Sequence, residues 1–138
     1  MKYIVHTDGG SRGNPGPAAI GVVIEKIVDD RSSIVDEFGK RIGETTNNVA
    51  EYAAVIEALR AVKQLEGKSP VIEFYLDSTL VVNQLNGIFK MKDARLRSLA
   101  TEIRILEQEV GGVVSYTAIP REQNRRADLM VNQALMSA

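Results

Sequence analysis

Four acidic residues occupy positions at or next to the predicted ends of strands and helices: Asp8, Glu51, Asp77 and Asp128. A carboxylate held against a sheet is costly to keep ionised unless a cation or several hydrogen bonds compensate its charge. Carboxylates without sulfur or histidine form the ligand set that Mg²⁺ prefers. Two such cations, roughly 3.5–4 Å apart, can activate a water and neutralise a leaving oxygen. These residue types therefore suit metal-assisted phosphodiester cleavage.

Each carboxylate also has a purely structural explanation. Asp8 could belong to a tight hairpin turn, and Glu51 has capping-box spacing from a helix start. Asp77 could cap the helix that follows it, and Asp128 could interact favourably with the positive end of a helix dipole. Any one of these explanations suffices for a single residue. Four acidic residues on a fold that can gather them favour a shared site instead.

The elements that must position these residues follow from the hydrophobic periodicity. Three strands at about 2–8, 18–27 and 33–42 are joined by short turns and predict an antiparallel meander. A helix capped by Asn47 or Asn48 and running to about Glu66 comes next and is ended by Gly67. The remaining predictions are strands at 71–76 and 113–119, and helices at 78–89, from Asp93 to 110, and from an Asn124 cap onward.

Crossover helices require the first, fourth and fifth strands to run parallel. The predicted fold class is therefore α/β: a five-stranded mixed sheet, with a three-strand antiparallel meander, two parallel strands and helices on both faces. Sites in such sheets lie beyond the carboxyl ends of the parallel strands. Asp8 and Asp77 follow such ends. Glu51 heads the apolar stripe of the first helix, so it is expected to face the sheet.

Composition limits the classes of protein to consider. A chain of 138 residues predicts one domain over 1–138. The net charge of −1 gives no overall positive field, so any nucleic-acid surface must be local. The absence of cysteine excludes disulfides and thiolate zinc sites. The first strand begins at Lys2 and no apolar run approaches bilayer length, so we expect a cytoplasmic protein without membrane contact.

Four sequence blocks, in order along the whole chain, resemble the type I ribonuclease H family. They are YIVHTDGGSRGNPGP at 3–17, TTNNVAEY at 45–52, LDS at 76–78 and NRRAD at 124–128. The resemblance implies the ribonuclease H-like fold. It also implies an endoribonuclease that hydrolyses the RNA strand of RNA/DNA hybrids with two Mg²⁺ or Mn²⁺ ions, leaving 5′-phosphate and 3′-hydroxyl ends.

The resemblance also implies roles for individual residues. Asp8, Glu51, Asp77 and Asp128 match the catalytic, metal-binding acids. Asp8 is expected to bridge both ions. Asp128 is expected on the side where water attacks, and Glu51 and Asp77 on the side of the leaving oxygen. The implied substrate contacts are Asn14, Asn47 and Asn48 at the minor groove, Thr46 at a DNA-strand phosphate, the main chain of Gly9 and Gly10 near RNA sugars, and Ser78, Arg121 and Asn124.

The chain departs from the better-known family pattern at the substrate-binding side. Its only histidine is His6, and Arg121 precedes the last acidic block where many members carry a loop histidine. There is no tryptophan and no basic protrusion, which predicts weaker, salt-sensitive hybrid binding. The pattern is closest to a compact archaeal-like subgroup, so other RNA-containing duplexes are further candidate partners. No obligate protein partner is indicated.

Two other functions remain open on the sequence alone. One is a different nuclease or phosphoryl transferase on the same fold, which would use similar carboxylates. The other is a non-catalytic hybrid-binding module, although all four acids are present. Metal-dependent, strand-selective cleavage of a hybrid separates the three.

Overall fold

The structure is a computed structural model and describes residues 1–65 and 69–137. Its strands are β1 (Lys2–Ser11), β2 (Gly16–Val28), β3 (Arg31–Thr45), β4 (Val71–Leu76) and β5 (Val113–Ala118). They form one sheet in the order β3-β2-β1-β4-β5. β1 pairs antiparallel with β2, and β2 with β3, whereas the β1–β4 and β4–β5 pairs are parallel. The predicted mixed sheet is confirmed.

In the part of the chain that the structure describes, four α-helices and one short 3₁₀ turn at Arg121–Gln123 accompany the sheet. The helices are α1 (Asn47–Gln64), α2 (Thr79–Leu85), α3 (Ala94–Val110) and α4 (Arg125–Met136). The helix predicted to reach Phe89 is wrong in length, because α2 ends at Leu85. The predicted stop of the first helix at Glu66 and Gly67 lies outside the described residues.

The helices cover both faces of the sheet, as predicted. Neighbouring residues of a strand point to opposite faces. Gly9 of β1 lies against Ala50 of α1, whereas Gly10 lies against Val131 of α4. α1 also packs against α3, and the main apolar core lies between this helical layer and the sheet. The largest fully buried side chains of that core include Tyr52, Phe74 and Leu59.

The α4 layer is held differently, through close contact of main chains. Gly21 of β2 and Gly39 of β3 are partners in the sheet. A Cβ atom built on Gly21 would lie 2.1 Å from the Ala127 carbonyl oxygen, and one on Gly39 would lie 2.2 Å from that of Met130. Only residues without a side chain allow α4 to approach this closely.

These packing relations bring one end of several elements together. β1 and β4 are adjacent and parallel, so their carboxyl ends share an edge of the sheet. α1 and α4 each start beside that edge on opposite faces. Within the described ranges, no helix has both the length and the apolar character needed to cross a bilayer.

Candidate active site

Three of the four predicted carboxylates meet at the carboxyl end of β1. Asp8 lies in β1, Glu51 in the second turn of α1, and Asp77 directly after β4. One carboxylate oxygen from each lies within 4.8 Å of the other two. Asp8 and Glu51 are each only 7% exposed, and Asp77 is half-buried. The crossover connections therefore bring together three residues that are far apart in the sequence.

Gly9 is the reason that Glu51 can lie beside Asp8. A Cβ atom at Gly9 would lie 2.3 Å from the Ala50 carbonyl carbon and 2.5 Å from the Glu51 backbone nitrogen. Real Cβ contacts are never this short, so any side chain here would push α1 away from β1. The family resemblance implied that the main chain of Gly9 lies near RNA sugars. At Gly9 the structure shows that the approaching backbone belongs to the protein.

The site is electrostatically unfavourable for its own carboxylates. Burial, and after it the charge of Asp77, raises the pKa of Asp8 from 3.8 to about 7, and a side-chain hydrogen bond with Asp128 adds to this. Burial, together with the charges of Asp8 and Asp77, raises the pKa of Glu51 well above its ordinary value. Of the polar side-chain atoms in the described part of the chain, Glu51 Oε2 is one of those buried without a hydrogen-bond partner.

This combination fits a divalent cation. Buried carboxylates at such short separation repel one another, and a positive ion removes that repulsion and lowers their pKa values. Glu51 adds a buried oxygen without a hydrogen-bond partner, which is therefore free to accept a cation. Hard oxygen ligands of this kind are those that Mg²⁺ and similar ions select. The residues present are therefore a suitable donor set.

Asp77 is oriented by Asn124 and does not cap a helix. The Asn124 side-chain amide donates to Asp77 Oδ2 at 3.3 Å and to the Thr7 carbonyl oxygen at 2.8 Å. Asn124 is only 1% exposed. Ser78, not Asp77, caps α2, because its side chain accepts from the Val81 amide. Asn124 occupies the N-cap position of α4, as predicted, but its side chain makes no capping bond there.

The structural alternatives for Asp8 and Glu51 are also excluded. β1 continues through Asp8 to Ser11, so Asp8 is not part of a tight turn. Thr46 is the N-cap of α1 and accepts from the Val49 amide at 3.3 Å. The predicted caps Asn47 and Asn48 are instead the first residues of the helix. Glu51 faces Asp8 and does not return to the helix start.

Asp128 lies beside the three clustered acids, on the α4 side. It is in the first turn of α4, and its side chain is 31% exposed. Its Oδ1 lies 3.8 Å from Arg121 Nη2, and its Oδ2 accepts from the Asn132 amide at 3.3 Å. It reaches Asp8 closely enough to raise the pKa of that residue. The arrangement is thus three tightly grouped carboxylates and a fourth at their open side.

A cleft of about 370 Å³ opens over these acids. Besides Asp8, Glu51, Asp77 and Asp128, its lining includes Gly9, Gly10, Asn47 and Arg121 from the predicted set. Sequence reasoning missed five other lining residues: Ser11, Arg12, Val131, Asn132 and Leu135. The last three follow Asp128 by three, four and seven positions. That spacing places them on one helix face and could have identified them.

Comparison with known proteins gives the family. A family model described as reverse transcriptase-like matches residues 6–134. The crystal structure of RNase H1 from the halophilic archaeon Halobacterium salinarum superposes with a TM-score of 0.90 at 42% identity, over 100% of both chains. The chain belongs to the type 1 ribonuclease H family. The archaeal likeness that the sequence predicted is confirmed by this similarity.

Other type 1 ribonuclease H structures agree with the assignment. LC11-RNase H1, solved in complex with an RNA/DNA hybrid, has a TM-score of 0.85 at 42% identity over 96% of each chain. A bifunctional protein of Mycobacterium tuberculosis is 37% identical over all 138 residues. The chain spans 36% of that relative's length and 63% of the length of the Halobacterium ribonuclease HI.

Four of the predicted substrate residues of this ribonuclease H domain, Asn14, Thr46, Asn47 and Asn48, lie on the β1–β2 turn or at the start of α1. Asn14 Oδ1 accepts from the Asn47 backbone amide at 2.9 Å, and Asn47 Oδ1 accepts from the Ser11 amide at 2.9 Å. These bonds join the turn to the helix. Asn48 is half-buried in the first turn, and Thr46 and Ser78 act as helix caps. Arg121 is largely exposed at the edge of the cleft.

Proposed function

We propose that the protein is an endoribonuclease that hydrolyses the RNA strand of RNA/DNA hybrids, leaving 5′-phosphate and 3′-hydroxyl ends. The observation that carries this proposal is the convergence of Asp8, Glu51 and Asp77 within 4.8 Å, with Asp128 beside them. Membership of the type 1 ribonuclease H family supports the choice of substrate. A relative of similar fold was solved with an RNA/DNA hybrid, which supports the same substrate here.

Asp8, Glu51, Asp77 and Asp128 would hold two divalent ions, Mg²⁺ or Mn²⁺. When bound, such ions activate water and neutralise the charge that develops on the leaving oxygen. The four residues differ in what they supply. Asp8 and Glu51 are buried and would supply ligand oxygens at fixed positions, whereas Asp128 is more accessible to water and substrate. Asn124 holds Asp77 in one orientation through its amide. We therefore assign Asn124 to positioning and not to direct substrate contact.

The residues around the cleft would align the duplex. Arg121 is a solvent-exposed cation at the edge of an acidic site, where it can attract a substrate phosphate that the carboxylates repel. In the hydrogen bonds that join the β1–β2 turn to α1, Asn14 and Asn47 use their side-chain oxygens as acceptors. Their side-chain nitrogens can therefore donate to acceptors in the minor groove of the duplex. Contact with the 2′-hydroxyl is what distinguishes RNA from DNA.

The test is cleavage of a hybrid labelled on each strand in turn, with Mg²⁺ or Mn²⁺. We expect cleavage of the RNA strand only, and loss of cleavage in Asp8→Asn with retained folding. Asp30→Asn is the matched control, because Asp30 is exposed in the β2–β3 turn and its φ of 61° is readily adopted by asparagine. Intact RNA with well-folded wild-type protein and either metal would refute the proposal.

Parallel substrates distinguish the alternative functions. Double-stranded RNA, double-stranded DNA and a single embedded ribonucleotide are incubated under the same conditions. Cleavage of double-stranded DNA would indicate a different nuclease on this fold. Hybrid binding without turnover would indicate a binding module. Cleavage of double-stranded RNA beside the hybrid would extend the substrate class without changing the chemistry.

A further inference from the structure

Asp128 is only half-buried, whereas Asp8 and Glu51 are buried. The other clustered carboxylates are held by the surrounding core or by Asn124, whereas the Asp128 side chain is 31% exposed. Its nearest cation, Arg121, is 3.8 Å away on a side chain that is itself 81% exposed. An ion pair of this kind contributes little to fixing a carboxylate, because solvent screens it and the arginine keeps its freedom.

Asn132 supplies the constraint that Arg121 does not. It lies four residues after Asp128 on the same face of α4, and its amide donates to Asp128 Oδ2 at 3.3 Å. Residues four apart on a helix are neighbours, so this bond needs no distortion. The helix turn that carries Asn132 is itself rigid. Val131 is only 3% exposed and packs beside Gly10, and the Met130 carbonyl lies directly on Gly39.

We infer that Asn132 is a positioning residue for Asp128, which it holds in the orientation that metal binding and hydrolysis require. This inference rests on the proposed function. An amide is suited to the task because it donates a hydrogen bond without bringing a charge that would compete with the metal. Outer partners of metal-binding carboxylates typically change metal affinity or activity by 10–100-fold when removed. The bond here is partly solvated, so we expect the lower end of that range.

The experiment compares three substitutions at Asn132 with a control on the neighbouring position. Asn132→Ala removes the donor, Asn132→Gln keeps an amide donor on a longer chain, and Asn132→Asp replaces the donor by a second negative charge. Gln133→Ala is the control, because Gln133 is exposed on α4 and does not line the cleft. Each variant is measured for hybrid cleavage, for Mn²⁺ binding by calorimetry without substrate, and for thermal unfolding.

For Asn132→Ala we expect kcat to fall by about 10-fold and Mn²⁺ to bind several-fold more weakly, while the KM for hybrid stays near that of the wild type. Asn132→Gln should recover most of both losses, and Gln133→Ala should match the wild type. A purely structural role would lower the unfolding temperature without changing Mn²⁺ binding by folded protein.

The inference and the proposed function fail in different ways. If wild-type protein cleaves the hybrid and Asn132→Ala matches it in kcat and Mn²⁺ binding, the inference is wrong and the function stands. Equal losses in Asn132→Ala and Asn132→Gln, with Gln133→Ala unaffected, would also contradict it, because the donor would then not be the cause. If the wild type leaves the hybrid intact but binds Mn²⁺ more tightly than Asn132→Ala does, the function fails and the positioning of Asp128 stands.

Discussion

Asp8→Asn is expected to make the metal-free protein more stable at neutral pH. The folded protein raises the pKa of Asp8 from 3.8 to about 7, mainly through burial. A folded-state pKa above the unfolded one means that folding favours the protonated acid. The stability from this group is therefore complete below about pH 4 and is lost as the pH rises towards 7. Each pKa unit corresponds to about 1.36 kcal/mol, so the loss approaches ~4 kcal/mol at pH 7.

Asparagine removes that penalty because it has the same size and carries no charge at any pH. After allowance for the altered hydrogen bonds with Glu51 and Asp128, we expect Asp8→Asn to exceed the wild type by about 2–4 kcal/mol in unfolding free energy at pH 7. The difference should become small by about pH 4, where the folded wild type is protonated and its unfolded state is about half protonated. Added Mg²⁺ should stabilise the wild type more than the variant, because the variant lacks a ligand.

The assay is urea unfolding with a chelator present, at a series of pH values between about 4 and 7. The quantity to compare is the difference between wild type and Asp8→Asn, because other carboxylates add their own pH dependence to each curve. Glu37, for example, has its pKa lowered by the Arg126 side chain, and it works in the opposite direction. Asp30→Asn again serves as the control. A variant no more stable than wild type at pH 7 would refute the electrostatic account of the cluster.

Two further predictions concern packing around the site. Gly9→Ala should lower the unfolding free energy by about 1–3 kcal/mol and reduce cleavage, because the new methyl group meets the Ala50 carbonyl. Gly10→Ala is the control: its Cβ has an ordinary 3.6 Å contact, so its stability in urea should be nearly unchanged. Burial raises the pKa of Tyr52 to about 12, so the wild type should lose more stability than Tyr52→Phe as the pH rises above about 10. At pH 7, Tyr52→Phe should be about 1–3 kcal/mol less stable than the wild type, because Gln84 loses the hydroxyl that donates to it at 2.6 Å. Equal loss of stability in the two proteins above about pH 10 would contradict the role of Tyr52 in the alkaline transition.

The sheet and the direction of Glu51 were predictable because both follow from local patterns. Alternating residues gave the strands, and β4 was predicted with its observed bounds, Val71–Leu76. The crossover rule then gave the parallel direction of β1, β4 and β5. The apolar stripe of α1 predicted that Glu51 faces inward, and the structure buries it to 7% exposure.

The orientation of other side chains depends on distant partners and could not be predicted. Asn124 was expected to cap the last helix, but its amide bonds Thr7, which is 117 residues away. Three consecutive residues, Thr46, Asn47 and Asn48, are all good helix caps. Thr46 fills that role, and the Asn47 side chain bonds the main chain of Ser11. The prediction for Gly9 concerned contact with the substrate, because no local sequence pattern shows that α1 packs against this residue.

Because α4 lies directly on glycines of the sheet, Asp128 and Glu51 are positioned by different kinds of packing. The main chain of α1 rests on a glycine at one point, Gly9, and the rest of that helix packs through side chains, so a substitution that repacks Leu59 or Phe74 can tilt it and displace Glu51. The main chain of α4 rests on two glycines in neighbouring strands, Gly21 and Gly39. Substitutions in the main core should therefore displace Glu51 more than Asp128.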